Sequence, residues 1–163
     1  MLYTKCGDGG FSSIADGKQI LKDDVLFEVL GNLDELNCIL GAATLGCIDE
    51  HSILKGIQKQ IIDVSAEIAG YVKGFDYLLH TREFECIIDE YEKKYKLPNK
   101  IILPCSTKSA SYFQIARTVC RRCERSVVCY VQKYNPEFKS GITEYINRMS
   151  DLMFAIAIKY ERI

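Results

Sequence analysis

"VLFEVLGNLDELNCIL", residues 25–40, decides how this chain folds. Val25, Leu26, Val29, Leu30, Leu33, Leu36 and Leu40 recur at steps of three and four, which gathers them on one side of an α-helix turning about 100° per residue. Ile53, Leu54, Ile57, Ile61, Val64 and Ile68 repeat that period. A charged amphipathic stretch runs from about Thr81 to Tyr95. A further helix is predicted from Lys108 to Tyr134, where Asn135-Pro136 ends it, and a last one from Ile142 to Tyr160. Five helices with short connections predict an all-α bundle. Residues 70–80 read as an interhelical loop. The short apolar runs Ile20-Leu21 and Ile101-Ile102-Leu103 read as loop anchors rather than strands. No repeat, low-complexity segment or linker interrupts the chain, so residues 1–163 are read as one domain, with 1–22 an N-terminal loop and 23–163 the bundle.

A length of 163 residues is enough for a real core. The net charge of −1 gives no global basic field, so nucleic acid is not expected as a partner and any anion site must be local. No apolar run approaches the roughly 20 residues of a membrane-spanning helix, and the first residues carry no apolar signal segment; a cytoplasmic location is expected. The eight cysteines are expected as free thiols. Cys120-Arg-Arg-Cys123 has the spacing of half a zinc site, but neither a second such pair nor His51 or His80 lies nearby. No protein zinc site is expected, and both cysteines read as small apolar side chains on a buried helix face.

Four stretches stand out from this frame. The first is "YTKCGDGGFSS", residues 3–13. It lacks the Lys-Ser/Thr end and the strand–loop–helix setting of a P-loop, and it is no dinucleotide fingerprint. It nevertheless has the parts of an anion cradle. Its glycines let backbone N–H groups converge, Thr4, Ser12 and Ser13 add hydroxyls, and Lys5 and the nearby Lys22 add charge. On its residues alone such a loop is a flexible arm more often than a site. The second is "ARTVCRRCERSV", residues 116–127. On a helix, Arg117, Arg121, Glu124 and Arg125 share one side within roughly a 100° arc, Arg122 lies at its edge, and Val119, Cys120, Cys123 and Val127 cover the opposite side. All the cations there are arginine, the residue suited to planar bidentate contact with phosphate or carboxylate, although an ion-paired solvated face would look the same. The third is "EYINRMSDLMFAIA", residues 144–157. It sets Asn147 and Asp151 one turn apart on an apolar helix, with Arg148 on a different face. The fourth is "GNLDELN", residues 31–37, which sets Asp34 and Asn37 one turn apart.

Taken in order, "TKCGDGGFS" (4–12), "KDD" (22–24), "GNLDELN" (31–37), "LPCST" (103–107), "ARTVCRRCER" (116–125) and "YINRMSDLMF" (145–154) resemble the motifs of the PduO-type ATP:cob(I)alamin adenosyltransferases over nearly the whole chain. The resemblance implies a five-helix bundle assembling as a homotrimer with an active site at each subunit interface. It implies transfer of the 5′-deoxyadenosyl group of ATP to cob(I)alamin with release of triphosphate. The cobalt(I) of the corrinoid is the nucleophile, so the protein needs none; it positions ATP and stabilises charge on the leaving group. By resemblance, Lys5, Lys22, Arg121 and Arg125 do that work, with Mg²⁺ held through the ATP phosphates. Thr4, Cys6, Gly7, Ser12 and Ser13 contact phosphates, and Arg117, Arg122, Glu124 and Asn147 complete the nucleotide site. Asp34 pairs with Arg117 across the interface. A flavoprotein reductase and an adenosylcobalamin-dependent enzyme are the implied protein partners. The departures from the pattern fall on the corrinoid side: Cys105-Ser106 replaces a Gly-Gly, Ile101 replaces an aromatic, and Gln114 replaces a histidine. A nucleotide-binding trimeric relative that senses or carries ATP and corrinoid without efficient turnover is the alternative.

Overall fold

A computed structural model of the chain describes residues 3, 5–95, 102–134 and 141–161. Helix α1 (Val25–Thr44) begins where Asp24 turns its carboxylate back to accept the Leu26 N–H at 2.9 Å, an N-cap that satisfies a donor the helix itself leaves open. Burial pushes the Asp24 carboxyl up, but hydrogen bonds from Lys133, the Leu26 N–H and Tyr134 outweigh it and hold the group at about 2. Leu26, Val29, Leu33, Leu36 and Leu40 of the sequence-predicted stripe are buried; Val25 and Leu30 sit at its margin. Helix α2 (His51–Ile68) buries Leu54, Ile57, Ile61, Val64 and Ile68, again the expected set apart from a half-buried Ile53. Helices α4 (Lys108–Tyr134) and α5 (Ile142–Tyr160) have the bounds that the sequence predicts.

Two expectations are corrected. Helix α3 (Tyr77–Lys94) starts four residues before the expected Thr81, because Asp76 caps it by accepting the Leu79 N–H at 3.0 Å. Its first turn exposes Leu78 and Leu79, which blurs the apolar period there. The chain is also not purely helical. Ile20-Leu21, expected as a loop anchor, lies in strand β2 (Gln19–Leu21), which pairs antiparallel with β1 (Phe11–Ser13), Ser12 opposite Ile20. The turn between them uses Gly17 at φ +78°, a left-handed conformation that glycine adopts without strain. Ile14 and Ile20 pack this hairpin onto the helical core. Among the described residues, no helix is long and apolar enough to cross a membrane.

The helices pair in the spatial order α2, α1, α4, α5, α3. Side chains close the bundle between its first and last members: Gln60 Nε2 of α2 lies 3.1 Å from His80 Nδ1 of α3, and Tyr145 of α5 donates its hydroxyl to Gln60 Oε1 at 3.0 Å. The central seam is α4 against α5, where Phe113, Ala116, Cys120, Cys123, Val127, Ile146, Met149, Leu152, Met153 and Ile156 are buried. Cys120 and Cys123 are thus apolar packing residues. Burial pushes both thiols up, Cys123 to about 12.

One end of the bundle is organised around a charge. Glu50, just before α2, has no exposed surface. Its carboxylate accepts hydrogen bonds from Tyr91 of α3 at 2.7 Å, Lys159 of α5 at 2.6 Å and the Tyr160 hydroxyl. Burial pushes its carboxyl up, but these donors outweigh burial and hold it below the usual carboxylate range. Stability from this group is therefore complete above the unfolded carboxylate value and is lost as pH falls through the folded one. Lys159→Met removes the cation and leaves the buried carboxylate to the two tyrosine hydroxyls alone. Stability at pH 7 should fall by about 3–5 kcal/mol. The deficit should shrink in acid, where Glu50 takes up a proton, as urea denaturation at pH 7 and pH 5 would measure.

Candidate functional site

The glycine stretch folds as a series of tight turns. Asp8 N–H donates to the Lys5 carbonyl and Gly10 N–H to the Gly7 carbonyl, each at 3.2 Å, and Lys22 N–H donates to the Gly10 carbonyl at 2.8 Å. Lys5 at φ +60° and Gly10 at φ +82° supply the left-handed residues these turns need. The Lys22 ammonium lies against the turn and donates to the Gly7 carbonyl at 2.8 Å, so the cation is brought to the glycines by strand β2. A Cβ on Gly7 would stand 2.7 Å from Lys22 Nζ. A side chain there would push the end of the flexible lysine chain aside. Lys5, Cys6 and Ser13 are exposed, and Ser12 is half-buried in β1. Ser13 accepts a hydrogen bond from Gln19 Nε2 at 2.6 Å, which ties the two strands. Thr4 and Ile101 lie outside the described residues.

The arginine stretch divides into distinct environments along α4. Arg121 and Arg125 are exposed. Arg122 reaches α1, donating Nε to Asn32 Oδ1 at 2.9 Å and an Nη to Glu35. Asn32 is buried and fully engaged, since its amide also donates to Ser126 Oγ and Glu28 Oε1, both at 3.1 Å. Arg117 leans toward α5, donating Nε to Gln114 Oε1 at 2.9 Å with its guanidinium 5.9 Å from the Phe154 ring centroid. Glu124 accepts from Asn147 Nδ2 at 3.1 Å, so these two expected site residues do meet.

The contacts expected between copies lie beyond a single chain, and one expectation within the chain is corrected. Asp34 is exposed on α1, and no ion pair joins it to Arg117 among the described residues. Arg148 shares a face with Asp151 rather than lying apart from it: it donates to Asp151 at 2.7 Å and to Glu85 of α3 at 3.0 Å. Likewise, no hydrogen bond or ion pair among the described residues links the glycine turns to the α4 arginines. Asn32 and Glu35 were not singled out from the sequence. Asn32 falls three residues after Val29 and four before Leu36, on the apolar stripe itself, and a polar residue there signals a buried partner such as Arg122.

The sequence matches the family model described as "Cobalamin adenosyltransferase" over residues 2–160. The chain belongs to that family. It is 36% identical to the mouse corrinoid adenosyltransferase MMAB, over 96% of this chain and 70% of that protein. It is 35% identical to the Bacillus subtilis corrinoid adenosyltransferase, over 96% and 84%. Its fold is similar to that of a variant of the PduO-type ATP:corrinoid adenosyltransferase from Lactobacillus reuteri complexed with cobalamin and ATP. The TM-score is 0.89 at 29% identity, covering 98% of this chain and 90% of that one.

The arginines should separate by their effect on folding. Arg122→Ala strips the buried Asn32 oxygen of its donor and should cost about 1–3 kcal/mol in chemical denaturation. Arg121→Ala and Arg125→Ala, at exposed positions, should stay within about 0.5 kcal/mol of the parent.

Proposed function

We propose that this chain catalyses ATP-dependent adenosylation of cobalamin, attaching the 5′-deoxyadenosyl group of ATP to cob(I)alamin and releasing triphosphate. Family membership supports the reaction class. The observation that carries the reading for this chain's own residues is the glycine turn with the Lys22 ammonium already docked on it. A phosphate oxygen replacing the Gly7 carbonyl would take over that donor and add an ion pair to the hydrogen bond. Lys5 supplies a second cation, and the turn's exposed N–H groups, with Ser12, Ser13 and Thr4, supply neutral donors. Arg121 and Arg125 face outward and are suited to the charge that grows on the leaving triphosphate. Mg²⁺ would be held mainly through the ATP phosphates and its own waters, as is usual for this ion in nucleotide sites.

The lack of a hydrogen bond or ion pair between the glycine turns and the α4 arginines among the described residues supports a site assembled between copies in a homotrimer, one contributing the turns and another the arginines. Arg117 suits this arrangement. Gln114 holds its Nε, which leaves the Nη groups for the exposed Asp34 of a neighbouring copy. Glu124 and Asn147 border the same face. Arg122 is chiefly a strut to α1, and any nucleotide contact it makes uses what Asn32 and Glu35 leave over.

Adenosylcobalamin formation, followed by absorbance from chemically reduced cobalamin and MgATP, tests the reaction. The parent protein should turn over, and Arg121→Ala should lower kcat by about 10²–10³-fold, the usual loss when one donor to developing charge is removed. In calorimetry Lys22→Ala should lose MgATP binding. ATP binding without turnover would instead favour a sensor or carrier. Light scattering should give a trimer. Asp34→Arg should weaken it, and adding Arg117→Asp should restore it in part, with a double variant no better than either single excluding the pairing.

A further inference from the structure

The loop that leads into α4 is held by a residue from the far end of the bundle. Cys105 adopts φ +75°, a left-handed conformation unusual for a residue with a side chain. Its N–H and that of Ser106 point the same way, as successive amides around a left-handed residue do, and form a small anion-binding concavity. The concavity is filled from within. Glu161, directly after α5, accepts the Cys105 N–H on Oε1 and the Ser106 N–H on Oε2, each at 2.9 Å, and also accepts the Ser106 hydroxyl. Burial pushes the Glu161 carboxyl up, but these donors outweigh it and keep the group below the ordinary carboxylate range, hence charged at neutral pH. A second tie runs alongside, as Thr107 donates its hydroxyl to the Tyr160 carbonyl at 2.9 Å and accepts the Ala110 N–H at 3.1 Å.

Glu161 also touches the arginine side. Gln114 is buried, and its Nε2 approaches Glu161 Oε1 at 3.4 Å while its Oε1 accepts Arg117 Nε. The acceptor at one end of the Gln114 amide and the donor at the other fix which way it points. One carboxylate therefore shapes the 105–106 loop and sets the orientation of the glutamine that holds Arg117.

We propose that Glu161 is a positioning residue for the corrinoid substrate, holding the Cys105-Ser106 loop in the left-handed shape that the corrinoid meets. This rests on the adenosyltransferase reading, in which that loop lies on the corrinoid side. In Glu161→Ala the loop loses its anion, Cys105 has no compensation for its backbone shape, and the loop relaxes. The glycine turns that hold the triphosphate are untouched. Gln114 keeps its 2.9 Å bond from Arg117, so the main effect falls on the corrinoid.

The experiment measures the KM for cob(I)alamin at saturating MgATP, the MgATP dissociation constant by calorimetry, and amide hydrogen exchange over residues 103–107, in the parent, Glu161→Ala, and Glu161→Ala with Cys105→Gly. We expect Glu161→Ala to raise the corrinoid KM about tenfold, to leave the MgATP constant within twofold, and to speed exchange at Cys105 and Ser106. Glycine adopts φ +75° unaided, so the double variant should recover much of the KM. A general loss of folding would weaken both substrates and would not be repaired by glycine at that position. Parent turnover with an unchanged corrinoid KM in Glu161→Ala, or no recovery in the double variant, would overturn this role alone. A parent that makes no adenosylcobalamin would overturn the functional reading and this role with it.

Discussion

A carboxylate without exposed surface sets the geometry of one end of this molecule. Glu50 sits just before α2, and the groups that neutralise and solvate it come from α3 and from the last turn of α5. An isolated charge in such a place would cost several kcal/mol, so the three elements are held to an arrangement in which Tyr91, Lys159 and Tyr160 all reach it. Hydrophobic burial would tolerate small slides of one helix on another. A charge that must be satisfied by named donors does not. The consequence travels one residue further, because Tyr160 is followed by Glu161. Where α5 stops decides where the Glu161 carboxylate lies, and that decides the shape of the loop entering α4. A non-glycine residue held left-handed costs of the order of 1–3 kcal/mol and persists only where its surroundings enforce it. At Cys105 the enforcement is the two N–H bonds to Glu161.

Helix α4 then distributes work by face. Val119, Cys120, Cys123 and Val127 fill the seam. Arg122 spends its guanidinium on the buried Asn32 and on Glu35, and Arg117 is held by Gln114. Arg121 and Arg125 project outward. A helix that met only water would have little reason to restrict its cations to arginine. One that meets phosphates and a partner's carboxylates has a strong one, because the planar fork makes two parallel bonds where lysine makes a point contact. The chemistry asks nothing more of these residues. When the nucleophile is carried by the substrate, a protein contributes position, charge and exclusion of water.

Much of this was legible in the residues, for identifiable reasons. Helices α1, α2, α4 and α5 bury long regular stripes, and a period of three and four survives wherever one face is packed. Helix α3 touches the core mainly through Thr81 and Phe84, so its start was set by the Asp76 cap rather than by any stripe. The hairpin was not legible, because strands as short as β1 and β2 give no period to read. The ordered motifs brought out the glycine turn, Glu124 with Asn147, and the α4 arginines. Glu50 and Glu161 left no trace. Each is one acid among many, and its meaning comes from partners 41 to 110 residues away for Glu50 and 47 to 56 away for Glu161. Periodicity reports local structure, and a charge satisfied across the fold has none.

The glycine turn shows how a cation can be kept ready without being spent. Lys22 is exposed, and its ammonium bonds to a backbone carbonyl rather than to a carboxylate. A salt bridge would have to be broken before phosphate could bind, at the cost of one charge pair for another. A carbonyl is a neutral acceptor, strong enough to hold the ammonium over the turn and weak enough to lose it to a phosphate oxygen. Gly7 leaves open the space where Nζ lies, and β2 delivers Lys22 at the end of a paired strand. The hairpin that the apolar pattern failed to reveal is therefore part of the proposed anion site. Without its pairing, Lys22 would be a solvated side chain at the start of α1, and the glycines would have no cation to share.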